Sequence, residues 1–176
     1  MRKSNSYLIK ICIAAMLTAI GFLLDRVLTV NTPAVKINLA FLPAVFAAVL
    51  LGPVWGACVY ALTDLTGAIL MPFGTYHPGF TICAALMGAV YGLFLYKKDG
   101  KLRFFANVVP PVLINCIVIG LFINTLWISM LYDSKTYLGF FVSRLLEYAI
   151  LVPVQIAIIP VAARLCARLK RQFKFL

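Results

Sequence analysis

Apolar runs long enough to cross a lipid bilayer dominate this chain. A transmembrane helix needs about 20 consecutive, mostly apolar residues, and runs of this kind recur from one end of the sequence to the other. Hydrophobic residues make up 64% of the 176 residues, and the mean hydropathy is +1.02. Both values exceed what soluble domains show. We therefore predict one all-α integral membrane domain that covers residues 1–176.

Six membrane-spanning helices are predicted from these runs. The second run is short, whereas the fifth and sixth exceed the roughly 20 residues of a span and should tilt or extend beyond the bilayer. Prolines remove backbone donors, so kinks are expected at Pro110, Pro111, Pro153 and Pro160. The predicted spans cover approximately residues 7–28, 39–51, 53–71, 79–96, 104–131 and 138–169.

The positive charge predicts how the helices are oriented. The net charge is +11, and the basic residues cluster at the two termini and between spans four and five. Alternating spans bring all three clusters to one side, which is the positive-inside pattern and not a nucleic-acid patch. Both termini are therefore predicted to be cytoplasmic. A cleaved signal peptide at the N-terminus, which would leave five spans, is the alternative. The clusters contain Arg2, Lys3 and Lys10; Lys97, Lys98, Lys101 and Arg103; and Arg164, Arg168, Lys170, Arg171 and Lys174.

Motifs for catalysis or metal binding are not found in the sequence. It lacks the GxxxxGK[ST] phosphate loop and HExxH, and a single histidine is too few for a typical zinc site. The five cysteines lie in apolar runs without CxxC spacing, as expected of small hydrophobic residues in a membrane core. We predict a protein that is not an enzyme and has no cofactor or metal.

Apart from the basic clusters at their cytoplasmic ends, the predicted spans contain five charged residues: Asp25, Arg26, Asp64, Arg144 and Glu147. All five lie in the predicted outer half. Because charge in hydrocarbon is costly, each needs a partner, a cavity or an interfacial position. Arg144 and Glu147 are three residues apart and share a helix face, so they can pair. Two interpretations stay open: internal ion pairs that lock helices together, or a polar pocket that faces outward.

The only histidine lies in a loop rich in glycine, proline and aromatic residues, residues 72–81. Such a loop between two spans is either a tight bend or the wall of a site. We predict that Tyr76 and Phe80 form a wall, and that Gly74, Pro78 and Gly79 form the bend that presents them. In span five, Asn124 and Trp127 share a face and suggest a hydrogen-bonding group beside a stacking platform.

These residues predict a small-molecule site, because such sites combine apolar and aromatic walls with a few convergent polar groups. A flat heteroaromatic ring would stack on the aromatic side chains, and an anionic tail would bind arginine. Asp64 and His77 are further candidates. The predicted ligand-binding residues are Arg26, Lys36, Asn38, Tyr76, Phe80, Asn124, Trp127, Arg144 and Glu147.

Rows of small residues predict close helix contacts, because they let two backbones approach each other. Ala15 and Ala19 form one row in span one. Further rows occur in span three and span four, and packing inside the same protein is the default for each. A row that faces lipid could instead dock on another membrane protein. The further rows are Gly52 and Gly56, and Ala84, Gly88 and Gly92.

The sequence resembles the substrate-binding S components of energy-coupling factor (ECF) vitamin transporters, and specifically the folate type. The resemblance covers nearly the whole chain in the right order. It departs from the family pattern at Asn38 and Leu39, where serine and an aromatic residue are expected, at His77, where an aromatic is expected, and at Gln155, where an acid is expected. The matching segments are residues 35–43, 52–56 with Asp64 and Gly67, 78–81 with 88–92, and 124–127 with Arg144.

The resemblance implies a mechanism and a set of partners. The family has six helices and binds its vitamin at the outer face, under a gating loop that corresponds to residues 29–38. Its members dock through small residues of helix one, here Ala15 and Ala19, on a transmembrane coupling protein that two ATPase subunits power. Folate binding would place Trp127, Tyr76 and Phe80 against its rings.

The polar partners of folate follow from the same resemblance. Asn124 and Glu147 would contact the pterin edge, and Arg26 or Arg144 would contact the glutamate tail. Three alternatives stay open: an S component for another vitamin such as thiamin or pantothenate, an intramembrane enzyme that acts on a lipid or isoprenoid, and a structural assembly subunit.

Overall fold

The computed structural model describes residues 2–31, 36–37, 39–72, 74–96, 104–131 and 137–172. Helices account for nearly all of these residues, which confirms the helical class predicted from the sequence. We number six helical runs in chain order. They are α1 Arg2–Arg26, α2 Phe41–Leu51, α3 Pro53–Leu70, α4 Pro78–Leu95, α5 over residues 104–131, and α6 Tyr137–Gln172.

Five of these helices are long and apolar enough to cross a membrane, namely α1, α3, α4, α5 and α6. Helix α2 has 11 residues and is about 17 Å long at 1.5 Å per residue. It is shorter than the roughly 30 Å hydrocarbon core of a bilayer. The structure therefore supports five spans and one shorter apolar helix, rather than six full spans.

Helix α2 is the buried centre of the bundle. It contacts α1, α3, α4 and α6, and Val45, Ala47 and Ala48 have no exposed surface. Its sequence is almost entirely apolar, as expected of a helix that is covered on all sides. Gly52 joins α2 directly to α3 with a φ of 111°, a conformation that residues with a side chain rarely adopt.

Two short strands lie between α1 and α2. β1 (Val30–Asn31) pairs antiparallel with β2 (Lys36–Ile37), and Val30 faces Ile37. In this linker the chain reverses direction through a two-residue ladder that the sequence analysis did not predict, and the all-α class is unaffected.

Helix α5 is the least regular run. Its four segments are Phe104–Val108, Val109–Leu113, Ile114–Ile123 and Asn124–Leu131, and the first and third are π-helical. Pro110 and Pro111 lie in the short α-helical segment between the two π-helical ones. Because proline has no backbone N–H, it disturbs the regular i→i−4 ladder. Helix α6, in contrast, remains helical through Pro153 and Pro160.

Glycines allow α3 and α4 to pack in direct contact. A Cβ atom on Gly88 would collide with the carbonyl oxygen of Gly56, and one on Gly92 would collide with Pro53. The expectation that these small residues pack helices within the protein is confirmed. The tight α3–α4 pair flanks the loop between them, and the described residues of this loop, 71–72 and 74–77, lie next to the site described below.

Candidate ligand-binding site

A cavity of about 390 Å³ lies among α1, α3, α4, α5 and α6. This volume falls in the range of about 300–1,000 Å³ that small-molecule sites occupy. Its mouth is formed by the loop between α3 and α4, including Pro72, Gly74, Thr75 and Tyr76. This loop was predicted to be either a tight bend or the wall of a site. It is both, because it connects α3 to α4 and also lines the cavity.

The predicted wall residues Tyr76 and Phe80 line the cavity. A hydrogen-bond chain fixes the tyrosine: its hydroxyl lies 2.9 Å from the hydroxyl of Thr81, and Thr81 donates to Asp64 Oδ2 at 2.7 Å. Because Thr81 donates its only proton to Asp64, the Tyr76 hydroxyl donates to Thr81. These hydrogen bonds link Tyr76 at the cavity mouth to the carboxylate of Asp64 on α3.

His77 caps α4 and supports Trp127. Its Nδ1 accepts a hydrogen bond from Gly79 N at 3.1 Å, and its ring stacks on Trp127 with centroids 4.8 Å apart. A Cβ atom on Gly79 would come within 2.6 Å of the indole ring, so only glycine leaves room for it. Trp127 therefore lies at the rim, beside the loop at the cavity mouth, and is not among the side chains that line the cavity.

The five charged residues predicted for the outer half of the spans all line the cavity: Asp25, Arg26, Asp64, Arg144 and Glu147. Two ion pairs form among them. Arg26 Nε lies 3.0 Å from Asp25 Oδ2, and Arg144 Nε lies 3.8 Å from Glu147 Oε2. Each of these two pairs joins residues of a single helix and so does not link one helix to another, whereas all five charged residues border the pocket.

Several polar atoms at the site are buried without a hydrogen-bond partner among the residues that the structure describes. They include Arg144 Nη1, Asn124 Oδ1 and Trp127 Nε1. Buried polar groups are almost always hydrogen-bonded, so such atoms on three predicted site residues indicate groups that a ligand could satisfy.

The floor of the cavity was missed by the sequence analysis. It is formed by Tyr91, Asn115, Cys116 and Gln155. The Tyr91 hydroxyl donates to Gln155 Oε1 at 2.8 Å, and Asn115 Nδ2 donates to the carbonyl oxygen of Met87 at 3.1 Å. A signal was present, because amides inside apolar spans usually face the interior of a bundle.

The predicted site residues are mostly brought together. Arg26, Tyr76, Phe80, Asn124, Arg144 and Glu147 line one cavity, and Trp127 lies at its rim. Lys36 belongs to β2. Asn38 lies outside the described residues, as do the basic residues Lys97, Lys98, Lys101, Arg103 and Lys174.

A second concave surface lies between α1 and α3. It is an apolar groove of about 530 Å³ that includes both predicted docking residues, Ala15 and Ala19. The remaining lining residues are Ile11, Ala14, Thr18, Phe22, Trp55, Leu62, Thr66 and Leu70. The small residues of α1 therefore form the base of a groove on the outside of the helix bundle.

The family of the protein follows from comparison with known proteins. Residues 10–163 match the family described as ECF transporter, substrate-specific component. The chain belongs to this family. The resemblance inferred from the sequence motifs is thereby confirmed. The family is that of a transporter component and not of an enzyme, so the prediction that the chain is not an enzyme is confirmed as well.

Two relatives are named folate transporter FolT. The one from Clostridium novyi is 31% identical over 170 residues, which is 97% of this chain and 94% of the relative. The one from Leuconostoc mesenteroides is 30% identical over 148 residues, 82% of this chain and 78% of the relative. A crystal structure of FolT bound with folic acid has a TM-score of 0.76 and 30% identity, covering 85% of this chain and 89% of that one.

Proposed function

We propose that the chain is the high-affinity folate-binding S component of a bacterial ECF importer. The observation that carries the proposal is the cavity, in which an aromatic mouth and unpartnered buried polar atoms converge. The similarity to a FolT structure bound with folic acid supports the same ligand. Folate combines a flat heteroaromatic ring with an anionic tail, and the cavity offers aromatic side chains and arginines for the two parts.

The proposed contacts use the residues predicted from the sequence. Tyr76, Phe80 and Trp127 lie against the rings of folate, and Asn124 and Glu147 hydrogen-bond to the pterin edge. The glutamate tail binds Arg144 or Arg26. Arg144 is favoured because its Nη1 has no hydrogen-bond partner among the described residues and because its ion pair with Glu147 is long, at 3.8 Å, compared with 3.0 Å from Arg26 Nε to Asp25 Oδ2. Lys36 and Asn38, in the linker proposed as a gate, complete the set.

The proposed topology places the cavity mouth outside the cell and both termini in the cytoplasm of a bacterium. The positive-inside pattern of the sequence supports this orientation. Ala15 and Ala19 dock on the ECF transmembrane coupling protein, which works with two ATPase subunits. The apolar groove supports this assignment, because small residues let a partner helix approach closely. Delivery of folate to the inside then depends on these partners.

Tryptophan fluorescence tests the binding proposal. The chain has two tryptophans, and Trp55 lies in the groove, so W55F isolates the signal of Trp127 at the cavity rim. Folate should quench this signal and raise the melting temperature of the purified variant. Thiamin and pantothenate serve as competitors. A chain that shows neither quenching nor a thermal shift with folate would contradict the proposal.

A further inference from the structure

The floor of the cavity contains a buried hydrogen-bond acceptor with a fixed direction. Asn115 is 2% exposed, and its Nδ2 donates to the carbonyl oxygen of Met87 at 3.1 Å. This bond orients the amide, because only the nitrogen can donate to a carbonyl oxygen. Oδ1 is therefore left on the other side, where it is buried without a hydrogen-bond partner in the described part of the chain.

The winding of α5 brings Asn115 to the cavity. In a regular α-helix of about 3.6 residues per turn, Asn115 and Asn124 would lie two and a half turns apart and point in opposite directions. The segment between them is π-helical, and the N–H of Asn124 bonds to Ile119 O, five residues back. This wider winding brings both amides to the same cavity.

The floor of the cavity differs in charge from the part of the cavity nearer its mouth. Its side chains, Tyr91, Asn115, Cys116 and Gln155, are all uncharged. Among the described residues, the charged groups of the cavity lie on α1, α3 and α6 closer to its mouth; Glu147, for example, precedes Gln155 by two turns of α6. An anionic group at the floor would lose its hydration without meeting a cation. The uncharged end of a ligand fits there.

We propose that Asn115 Oδ1 accepts a hydrogen bond from an N–H group at the uncharged, leading end of the bound ligand. The inference rests on the proposed function and refines it. Folate carries its uncharged amino-heterocycle and its carboxylates at opposite ends, so the amino edge of the pterin goes deepest. The carboxylates stay near Arg144 and Arg26, and Asn124 and Glu147 contact the ring system from the walls.

Asn115→Leu tests this assignment, because it removes the acceptor and keeps a side chain of similar size. The full chain is purified in detergent, and its Kd for folate is measured by calorimetry. We expect the Kd to rise about 10-fold, the effect of one buried hydrogen bond. Thr125→Val is the matched control: Thr125 Oγ1 is also buried without a partner in the described residues, on the same helix, but is not among the side chains that line the cavity. The Kd of T125V for folate should equal that of the wild-type chain.

A ligand substitution makes the test independent of how well N115L folds. A folate analogue whose 2-amino group is replaced by methyl should bind the wild-type chain about 10-fold more weakly than folate. N115L should bind the two ligands equally. If the wild-type chain does not distinguish them, or if folded N115L binds folate as tightly as wild type, the inference is wrong. Absence of any folate binding by the wild-type chain would instead overturn the proposed function.

Discussion

Helix α3 separates two concave surfaces of opposite character. One face of α3 brings Tyr60, Thr63 and Asp64 to the cavity, and another brings Leu62, Thr66 and Leu70 to the apolar groove. The cavity contains charges and unpartnered polar atoms, which suit a small polar ligand. The groove has small and apolar side chains, which suit an approaching helix.

Under the proposed function, this difference predicts that α3 uses separate residues for ligand recognition and for partner recognition. Of the groove residues of α3, Leu62, Thr66 and Leu70 follow one another at intervals of four and Trp55 lies seven residues before Leu62, so they form a stripe along a single face. Changes in the groove should therefore affect assembly and spare folate binding, and changes in the cavity should do the reverse. Four predictions test this separation.

The largest effect is expected from filling the groove. The double variant A15L/A19L places two bulky side chains at its base and should abolish copurification with the coupling protein. Its Kd for folate should stay within about twofold of wild type, because neither residue lines the cavity. Cys12 is exposed on α1 outside the groove, so C12L is the control that should retain the complex. Weaker folate binding by A15L/A19L would contradict the prediction that the groove and the cavity act independently.

The next largest effect is expected from Arg144→Gln. A hydrogen bond to a charged group contributes about 1.5–3 kcal/mol, so calorimetry should show folate affinity falling about 10- to 100-fold. Copurification with the coupling protein should persist. R164Q is the control, because Arg164 is an exposed arginine of the same helix and lies outside the cavity. Equal affinities of R144Q and R164Q would exclude Arg144 as the tail-binding residue.

Gly79→Ala should disturb the rim of the cavity. The added methyl group would lie 2.6 Å from the Trp127 ring, and such overpacking costs about 1–3 kcal/mol. Thermal unfolding should therefore begin at a lower temperature, and the emission of Trp127 in a W55F background should shift. In G139A the new methyl group lies on an exposed position of α6, where no destabilisation is expected. An unshifted emission in G79A would contradict the close contact between Gly79 and Trp127.

The smallest effect is expected from Thr81→Val. This change removes the hydrogen bond from Thr81 to Asp64 and the link to Tyr76, at a cost of about 1 kcal/mol. Folate titration should show a Kd about fivefold higher. Thr66→Val is its counterpart on the groove side, since Thr66 donates only within α3, to Leu62 O and Thr63 O. If T66V weakened folate binding as much as T81V does, the result would argue against separate cavity and groove faces of α3.

Much of the site could be predicted because charged and aromatic residues in apolar spans are conspicuous. Arg26, Asn124, Arg144 and Glu147 were identified by the cost of polarity in a membrane, and the structure brings all four to one cavity. The role of His77 could not be predicted. Its cap on α4 and its stack on Trp127 depend on how the loop places the ring against a different helix.

The class of the protein follows from its sequence alone. In a bilayer, the backbone groups of a long apolar run find hydrogen-bond partners only within a helix, so composition and length predict the helical architecture. They do not predict the role of α2, since a short apolar run is compatible both with a helix that spans the membrane and with one that is buried among others.

Only the tertiary structure decided which polar residues share the cavity. Sequence periodicity assumes about 3.6 residues per turn, which would direct Asn115 away from Asn124. The π-helical segment Ile114–Ile123 winds differently and directs both toward the same space. Such winding depends on the packing of α5 against its neighbours, which residue spacing alone does not reveal.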